Sequence, residues 1–380
     1  MPATVVPAEL AALLDADADA VVVDTRPPES YDAWHVPGAV NVPFEPNQPF
    51  ESVELPEGID TTDRIVTICA RGKSSRFLAE ELADHGYRDV AVVAGGMSAW
   101  SAVYETVPVV ARSDLEIVQV QRRAKGCLGY VVADPGTREA AVVDASRHTE
   151  TYRDVAADAG YEITRVFDTH VHADHVSGGR ALSRELGVPY HLGDRARERD
   201  VEYEFDALAA NETVNVGGVS VKAVPTPGHT TELTSLLVAD AAVLTGDSLF
   251  ADSVGRTELE FGEADAAHGA RLQYDSLHRT LLALPDSVFV LPGHAAVADD
   301  GTWTPTPPGR PVRATVGDLR ERLSLLALPE DEFVRRLTDS VPEKPPNYER
   351  VIAINRGESE VVDDAEATEL ELGPNNCAAP

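Results

Sequence analysis

Cysteine is scarce in this sequence. The 380 residues contain three cysteines, Cys69, Cys127 and Cys377. A disulfide framework needs more cysteines at closer spacings, so that class of secreted protein is excluded and a reducing compartment fits. The first residues, MPATVVPAEL, also lack the basic and apolar regions of a signal peptide. We therefore expect a cytoplasmic protein.

Basic residues and long apolar runs are missing as well. Lys and Arg number 32 against 64 Asp and Glu, which gives a net charge of −32. Such a field repels nucleic acid and anionic membranes, and no apolar run approaches the roughly 18 residues of a membrane helix. The acidic residues are spread along the whole chain, so we expect a halophilic surface that is screened at high salt. The length suffices for two or three globular domains.

The first 108 residues alternate strands with helices. The strand AVVVD ends at Asp24, and the strand RIVTICA leads into the helix SSRFLAEELADHG, which closes at Gly86. The strand DVAVVAGG follows. This alternation predicts an α/β domain in residues 1–108, with a parallel sheet and helices on both of its faces.

A second unit is predicted for residues 114–300. Its apolar segments, among them LEIVQVQRR, ITRVFDTH and VSVKAVPTP, are typical of short strands, and HTETYRDVAADAG is typical of a helix. Two sheets packed between helices are therefore expected. Beyond a proline-rich connector, residues 301–356 are predicted to form a short helical C-terminal extension. The acidic tail, residues 357–380, is expected to be disordered.

Cys69 stands in the loop ICARGKSSR, between a buried strand and a helix. Backbone N–H groups and the helix N-terminus face such a loop, and Arg71 and Lys73 add positive charge. These effects lower the pKa of a thiol, so Cys69 is a candidate nucleophile, with a buried strand-end cysteine as the alternative. Cys127 continues a strand and is expected to be structural. Cys377, in the acidic tail, is expected to have no role.

Metal-capable side chains are concentrated in THVHADHVSGG, residues 169–179. On an extended segment His170 and His172 point to one side, and Asp174 and His175 follow where a helix is expected to start. Further candidates follow a glycine directly after apolar strands, in PTPGHT, LTGDSLF and VLPGH. Nitrogen and oxygen ligands of this kind suit zinc or iron. The candidate metal ligands are His170, His172, Asp174, His175, His229, Asp247 and His294.

In sequence order, THVHADH, PGHT, TGDSLF and LPGH resemble the motifs of the metallo-β-lactamase fold. VVDAS, around Asp144, resembles the first motif of that fold, whose aspartate acts behind the metal ligands. The resemblance covers roughly residues 114–300. It implies an αββα sandwich with the metal at one edge of the two sheets.

This fold supports several reactions, and the resemblance leaves two of them open. A two-metal hydrolase of the glyoxalase II kind holds two Zn(II), whereas a persulfide dioxygenase holds one Fe(II) per chain. For the hydrolase, the matched ligands are His170, His172 and His229 on one zinc, Asp174, His175 and His294 on the other, and Asp247 as the bridge. For the dioxygenase, the matched iron ligands are His170, His229 and Asp247, while His172, Asp174, His175 and His294 orient ligands or organise water.

Two stretches favour the dioxygenase. GDSLFADSVGRTELEFG resembles the segment that follows the iron-binding aspartate in that family, and within it Arg256 is a candidate for binding a substrate carboxylate. A structural ion pair is the alternative for Arg256. EDEFVRRL and PEKPPNY resemble the end of the same family and differ from the glutathione-binding helical domain of glyoxalase II. We therefore predict the oxidation of a low-molecular-weight thiol persulfide to sulfite by O₂.

The first unit resembles a rhodanese domain over nearly its whole length. VVVDTRPPESYDAWHVPGAVNVPF matches the entry motif, CARGKSS the active loop and GYRDVAVVAGGMSAW the exit motif. Ser74 stands where many rhodaneses have arginine, which leaves the sulfur donor open, and Trp34 stands where glycine is common. The resemblance implies that Cys69 carries a sulfane sulfur, taken from donors such as thiosulfate. Each domain would then make or consume the sulfane sulfur that the other domain handles. The sequence leaves open whether the chain forms a homo-oligomer.

Overall fold

The N-terminal apolar segments form a parallel sheet, as predicted from their alternation with helices. In the computed structural model the chain is described over residues 1–46, 48–298, 300–339, 344–345, 347–361, 363–373 and 378. The elements of the first domain are β1 Ala3–Val5, α1 Pro7–Asp15, β2 Ala20–Asp24, α2 Pro28–Ala33, β3 Val40–Asn41, β4 Arg64–Ile68, α3 Ser74–Asp84, β5 Asp89–Val93 and α4 Gly96–Trp100. Their strands pair in the order β1-β5-β4-β2-β3, and every pair is parallel.

A second sheet has seven strands. They pair in the order β12 Asp206–Leu208, β11 Tyr190–Gly193, β10 Glu162–Phe167, β9 Glu139–Val143, β8 Leu128–Asp134, β7 Glu116–Arg122 and β6 Tyr104–Ala111. The first three pairs in this order are parallel and the others are antiparallel. The helices of this part of the chain are α5 Thr149–Asp158 and α6 Gly179–Leu186.

A third sheet has six strands in the order β13-β14-β15-β16-β17-β20, and a two-stranded ribbon joins β18 to β19. Helices follow in the C-terminal extension, as predicted. The elements are β13 Thr213–Val216, β14 Val219–Pro225, β15 Thr234–Val238, β16 Ala242–Gly246, α7 Glu258–Arg279, β17 Phe289–Pro292, β18 Ala296–Val297, β19 Trp303–Thr304, β20 Ala314–Thr315, α8 Val316–Arg322, α9 Glu330–Asp339, α10 Tyr348–Arg356 and α11 Asp364–Leu370.

The second and third sheets pack face to face and share one apolar core. Leu128 and Val132 of the second sheet lie in the same buried cluster as Val221 and Leu244 of the third. Helices α5 and α6 contact the outer face of the second sheet, and α7 contributes Ala270 to the shared core. This is the αββα sandwich that the motif order implies, and it follows the parallel α/β domain in the chain. Such a stack buries the apolar side of every layer.

The boundary between the two units differs from the prediction. Strand β6 pairs antiparallel with β7 along its length, so residues 104–108 belong to the second sheet and not to the first unit. Helix α6 begins at Gly179, whereas the sequence predicts a helix start near Asp174. The segment before α6 is a loop, and the Asn355 amide donates to the carbonyls of His172 and His175 within it.

The prediction that the acidic tail is disordered is wrong for the part of the tail that the structure describes. Residues 364–370 form α11, and Glu371 is 1% exposed. Glu369 pairs with Arg71 of the first domain, and Glu371 pairs with Arg122 and Arg147 of the second. Composition records only the like charges of the tail, whereas these distant arginines neutralise them. Cys377 lies outside the described residues.

Across the described ranges, none of the helices combines the length and the apolar character that crossing a bilayer requires.

Candidate metal centre and cysteine loop

The predicted metal ligands meet where strands of the sandwich end. Residues 168–175 follow β10, Asp247 follows β16 and His294 lies two residues beyond β17, while His229 precedes β15. Each of the seven predicted ligands is at most 4% exposed. The strands are rigid and apolar, so they carry these polar side chains to one buried edge of the two sheets.

The structure divides these side chains, and three neighbours, into three groups. Within each group one nitrogen, oxygen or sulfur atom per residue lies within 4.8 Å of the others. The first group has the members that the dioxygenase resemblance implies. The sequence did not predict the other two groups, because they depend on where each side chain turns after its strand ends. The groups are His170, His229 and Asp247; Cys127, Asp174, His175 and His294; and Asp144, Asp168 and His172.

The first group has the geometry of a metal site. His170 Nε2 lies 3.9 Å and His229 Nε2 lies 3.6 Å from Asp247 Oδ2. Ligand atoms that share one ion at about 2.1 Å lie roughly 3 to 3.5 Å apart. Small movements would therefore bring these three atoms around one ion.

Hydrogen bonds fix which nitrogen of each histidine faces this group. Thr169 Oγ1 donates to the Asp144 carboxylate and lies 2.9 Å from His170 Nδ1, so it accepts the proton of that nitrogen. His229 Nδ1 lies 2.7 Å from the carbonyl oxygen of Arg256, which can only accept. In both rings Nε2 is thereby left with its lone pair, as metal binding requires.

Two atoms of the group are buried without a conventional partner. His170 Nε2 and Asp247 Oδ2 have no hydrogen-bond partner in the described part of the chain. Burial, followed by the neighbouring His172, holds the pKa of His170 well below its ordinary value, which keeps the ring neutral. Burial raises the pKa of Asp247, but His294 and the other nearby imidazoles lower it further and keep the carboxylate charged. Unpaired buried atoms in their ligating protonation states fit a divalent metal ion.

Glycines allow the approach of these loops. A Cβ at Gly246 would lie 2.4 Å from Thr169 Oγ1, and a Cβ at Gly293 would lie 2.6 Å from Asp247 Oδ1. Gly246 also has a φ of +49°. The glycine that the sequence places before Asp247 and before His294 is therefore needed for the close contact of strand ends.

His172 lies in the third group, away from Asp247. Its Nε2 is 3.4 Å from Asp144 Oδ1, and its ring is 4.3 Å from the ring of His170 between centroids. Asp168, which is not among the predicted ligands, accepts hydrogen bonds from Ser177 and Tyr190. Burial raises the pKa of Asp168 to about 6. A carboxylate directly after a buried strand was the available signal for it.

Arg256 is fully buried, and its guanidinium pairs with Glu258. This contact is the structural ion pair that the sequence offered as the alternative. Substrate binding by Arg256 stays a prediction, while its carbonyl group orients His229 as described above.

The Cys69 loop lies between β4 and α3, as predicted. Cys69 is 3% exposed, and Ser75 Oγ donates to its sulfur at 3.3 Å. Burial raises the pKa of Cys69, but hydrogen bonds from the hydroxyls of Ser74 and Ser75 and from backbone N–H groups outweigh it, so the pKa is lowered. The guanidinium of Arg71 instead pairs with Glu369. Hydrogen bonds, more than the predicted charge of Arg71, thus favour the thiolate.

Replacing Ser75 by alanine is expected to raise the pKa of Cys69, because the hydroxyl that donates to the sulfur is lost. The pH profile for alkylation of Cys69 should then move to higher pH, as followed by mass spectrometry of the peptide that contains it. Ser98→Ala is the matched control, since Ser98 Oγ donates to the Ala70 carbonyl. Its profile should coincide with that of the wild type. A Ser75→Ala profile that also coincides would contradict the role of this hydrogen bond.

Two family models match the chain. A rhodanese-like domain matches residues 6–103, and the metallo-beta-lactamase superfamily matches residues 122–294. Both matches lie inside the units that the sequence predicts. The second begins at the end of β7 and ends at His294, so it contains every candidate metal ligand.

Curated relatives share the second domain. The chain is 30% identical over 178 residues to a hydroxyacylglutathione hydrolase of Nitrosococcus oceani, which covers 46% of this chain and 64% of that protein. It is 28% identical over 237 residues to a hydroxyacylglutathione hydrolase of Polaromonas sp., which covers 57% of this chain and 87% of that protein. The chain thus spans less than two thirds of the first of these relatives.

Solved structures share the fold. A metallo-beta-lactamase from Staphylococcus aureus superposes with a TM-score of 0.57 at 24% identity, over 64% of this chain and 72% of that chain. ETHE1 from Myxococcus xanthus superposes with a TM-score of 0.53 at 23% identity, over 67% of this chain and 98% of that chain. At these identities the likeness concerns the fold.

Proposed function

We propose that this chain, which joins a rhodanese-like domain to a domain of the metallo-β-lactamase superfamily, oxidises the sulfane sulfur of a low-molecular-weight thiol persulfide to sulfite. The observation that carries the proposal is the grouping of His170 with His229 and Asp247, without His172. Two histidines and one carboxylate are the ligand set of non-haem Fe(II) oxygenases, and they leave positions for O₂ and a substrate sulfur.

The overall reaction converts RSSH, O₂ and water into RSH, sulfite and two protons, and O₂ takes up the four electrons that the sulfane sulfur loses. When bound, ferrous iron supplies the redox chemistry that O₂ needs. The protein supplies ligand orientation. His294 Nδ1 lies 2.6 Å from Asp247 Oδ1, which leaves Oδ2 as the ligating oxygen, and Thr169 holds His170 in the matching tautomer.

The first domain supplies sulfane sulfur in this proposal. The Cys69 thiolate attacks the outer sulfur of thiosulfate, a sulfur–sulfur bond forms, and sulfite leaves with the electron pair of the broken bond. A second thiolate then takes the outer sulfur from Cys69 and becomes the persulfide. Because both domains are on one chain, the local concentration of the shared intermediate is raised.

A zinc-dependent thioester hydrolase is the second candidate function. Its support is that the curated relatives are hydroxyacylglutathione hydrolases and that Asp174, His175 and His294 lie together in the second group. Two zinc ions, when bound, would lower the pKa of a water molecule and so supply the attacking hydroxide. Metal content separates the two candidates: iron near one per chain supports the dioxygenase, and two zinc ions without iron support the hydrolase.

The test is O₂ uptake and sulfite release by the iron-loaded full chain with glutathione persulfide as the probe. We expect one sulfite per O₂ consumed. The zinc-loaded chain, assayed with a glutathione thioester, is the parallel arm. Absence of O₂ uptake in protein with about one iron per chain would overturn the dioxygenase, and thioester hydrolysis would then support the alternative.

Cys69→Ser separates the two domains in the same assay. We expect sulfur transfer from thiosulfate to fall to background, because serine cannot carry a sulfane sulfur. Oxygen uptake with a persulfide added directly should persist. Survival of sulfur transfer would show that Cys69 is not the carrier.

A further inference from the structure

Cys127 is held next to the metal centre by its backbone. It forms an isolated antiparallel bridge with His294. Leu128 N donates to the Gly293 carbonyl at 2.8 Å, and Ala295 N donates to the Gly126 carbonyl at 2.9 Å. These bonds join the turn between β7 and β8 to the loop after β17. The backbone of Cys127 therefore cannot separate from that of His294 without breaking two backbone hydrogen bonds.

Glycine at position 126 makes this contact close. Gly126 has a φ of +79°, and a Cβ there would lie 2.4 Å from the carbonyl oxygen of Ala295. Any other residue would push the two loops apart and is disfavoured at this φ. In the sequence KGCLG, the glycine thus lets the backbone of the cysteine lie directly against that of His294.

Cys127 lies among ligand atoms of three kinds. Its Sγ is 3.4 Å from Asp174 Oδ2, and His294 Nε2 is 3.0 Å from the same oxygen. His175 Nδ1 is 3.1 Å from Asp174 Oδ1. The four residues are between 2% and 5% exposed. The group therefore offers one sulfur, two nitrogens and one oxygen in a dry pocket.

One atom of this group is buried and lacks a conventional partner. His175 Nε2 has no hydrogen-bond partner among the residues that the structure describes, although its ring is 2% exposed. One nitrogen of the His175 ring lies within 4.8 Å of the Cys127 sulfur and of the other two ligand atoms. An unsatisfied nitrogen at this depth is costly unless it binds something.

We propose that Cys127, as a thiolate, joins Asp174, His175 and His294 in binding a zinc-like divalent ion, separate from the group of His170, His229 and Asp247. One thiolate, two imidazoles and one carboxylate are four ligands of the types that tetrahedral Zn²⁺ prefers. The sulfur makes this group softer than the all-nitrogen-and-oxygen triad, so the two groups differ in metal preference. Binding releases the thiol proton of Cys127 to solvent. The proposal goes beyond the proposed function, which needs only the triad.

Cobalt loading of the metal-free full chain tests this assignment. A thiolate bound to Co²⁺ gives an intense near-ultraviolet charge-transfer absorption, which nitrogen and oxygen ligands do not give. We expect this absorption in the wild type and in the matched control Cys69→Ser, and its loss in Cys127→Ser. The second Co²⁺ should bind more than about tenfold more weakly to Cys127→Ser. An absorption that persists in Cys127→Ser, or two bound Co²⁺ without it in the wild type, would overturn the proposal.

X-ray absorption at the zinc edge needs no variant and covers the case in which Cys127→Ser does not fold. The zinc-loaded wild type should show a zinc–sulfur distance of about 2.3 Å, and Cys69→Ser should show the same. A first shell of nitrogen and oxygen alone would mean that Cys127 remains a neutral donor to Asp174. Neither measurement uses O₂ or sulfite, so its failure is distinguishable from failure of the proposed dioxygenase.

Discussion

Asp247→Asn is expected to remove iron from the chain and to abolish O₂ uptake with a persulfide. Asp247 is the one anionic ligand of the triad and is fully buried, and asparagine keeps its shape without its charge. Loss of an outer partner of a metal ligand costs 10–100-fold in affinity or activity, so loss of this ligand should cost more than about 100-fold. Iron per chain, measured by elemental analysis after desalting, and the O₂ electrode report the two effects.

Asp240→Asn is the matched control for this substitution. Asp240 is exposed in the turn between β15 and β16, far along the strand from Asp247, and has a φ of +51° that asparagine tolerates. Its iron content and O₂ uptake should equal those of the wild type. If Asp247→Asn also kept about one iron per chain and the wild-type rate, the triad would not be the iron site.

Glu371→Ala is expected to destabilise the chain by about 3–5 kcal/mol, the cost of leaving a buried charge without its partner. Arg122 is fully buried with its guanidinium 2.8 Å from the Glu371 carboxylate. Arg147 lies 3.0 Å from the same oxygen, and Val176 N donates to the other oxygen at 2.7 Å. Alanine removes all three contacts. Urea unfolding of the full chain measures the loss.

Glu369→Ala, two residues earlier, is the matched control. Glu369 pairs with Arg71, but both side chains are more than half exposed. Its loss should cost less than about 1 kcal/mol. Equal losses for the two variants would contradict the assignment of Glu371 as the buried anchor of the C-terminal segment.

The contribution of Glu371 should also depend on pH. Burial raises its pKa, but Arg122 and Arg147 lower it more, to about 2 from an ordinary value of 4.5. A carboxyl group whose pKa is lowered by folding stabilises the folded state above its ordinary pKa. The difference in unfolding free energy between wild type and Glu371→Ala should therefore be full above pH 4.5 and shrink as the pH falls toward 2.

The C-terminal segment links the two candidate sites. Glu369 contacts Arg71 in the Cys69 loop, and Glu371 contacts Val176 in the loop that carries the metal ligands. Lys125 Nζ donates to the carbonyls of Glu371 and Gly373, beside Cys127 in the sequence. The acidic C-terminal segment, which its composition predicts to be solvated, thus contacts both the Cys69 loop and the metal-ligand loop. Acidic residues can be buried where arginines from other elements form ion pairs with them.

The sequence by itself determined the two fold classes, the identity of the candidate ligands and the position of Cys69. These features are local: alternating strands and helices, glycines before ligands, and a cysteine between a strand and a helix can each be recognised within a few residues. The strand ends that carry His170, Asp247 and His294 follow from the same patterns. Ligand type alone also limited the metal to zinc or iron.

The dioxygenase resemblance implies the group of His170, His229 and Asp247, whereas only the tertiary structure decided how the other candidate residues are grouped. His170 and His172 are two positions apart, yet one turns toward Asp247 and the other toward Asp144, because each is held by partners from different strands. Cys127 became a neighbour of His294 through backbone bonds between segments 167 residues apart, and Glu371 became buried through Arg122. Such contacts depend on the packing of whole sheets. No local pattern encodes them, since their energy is gained only when distant segments meet.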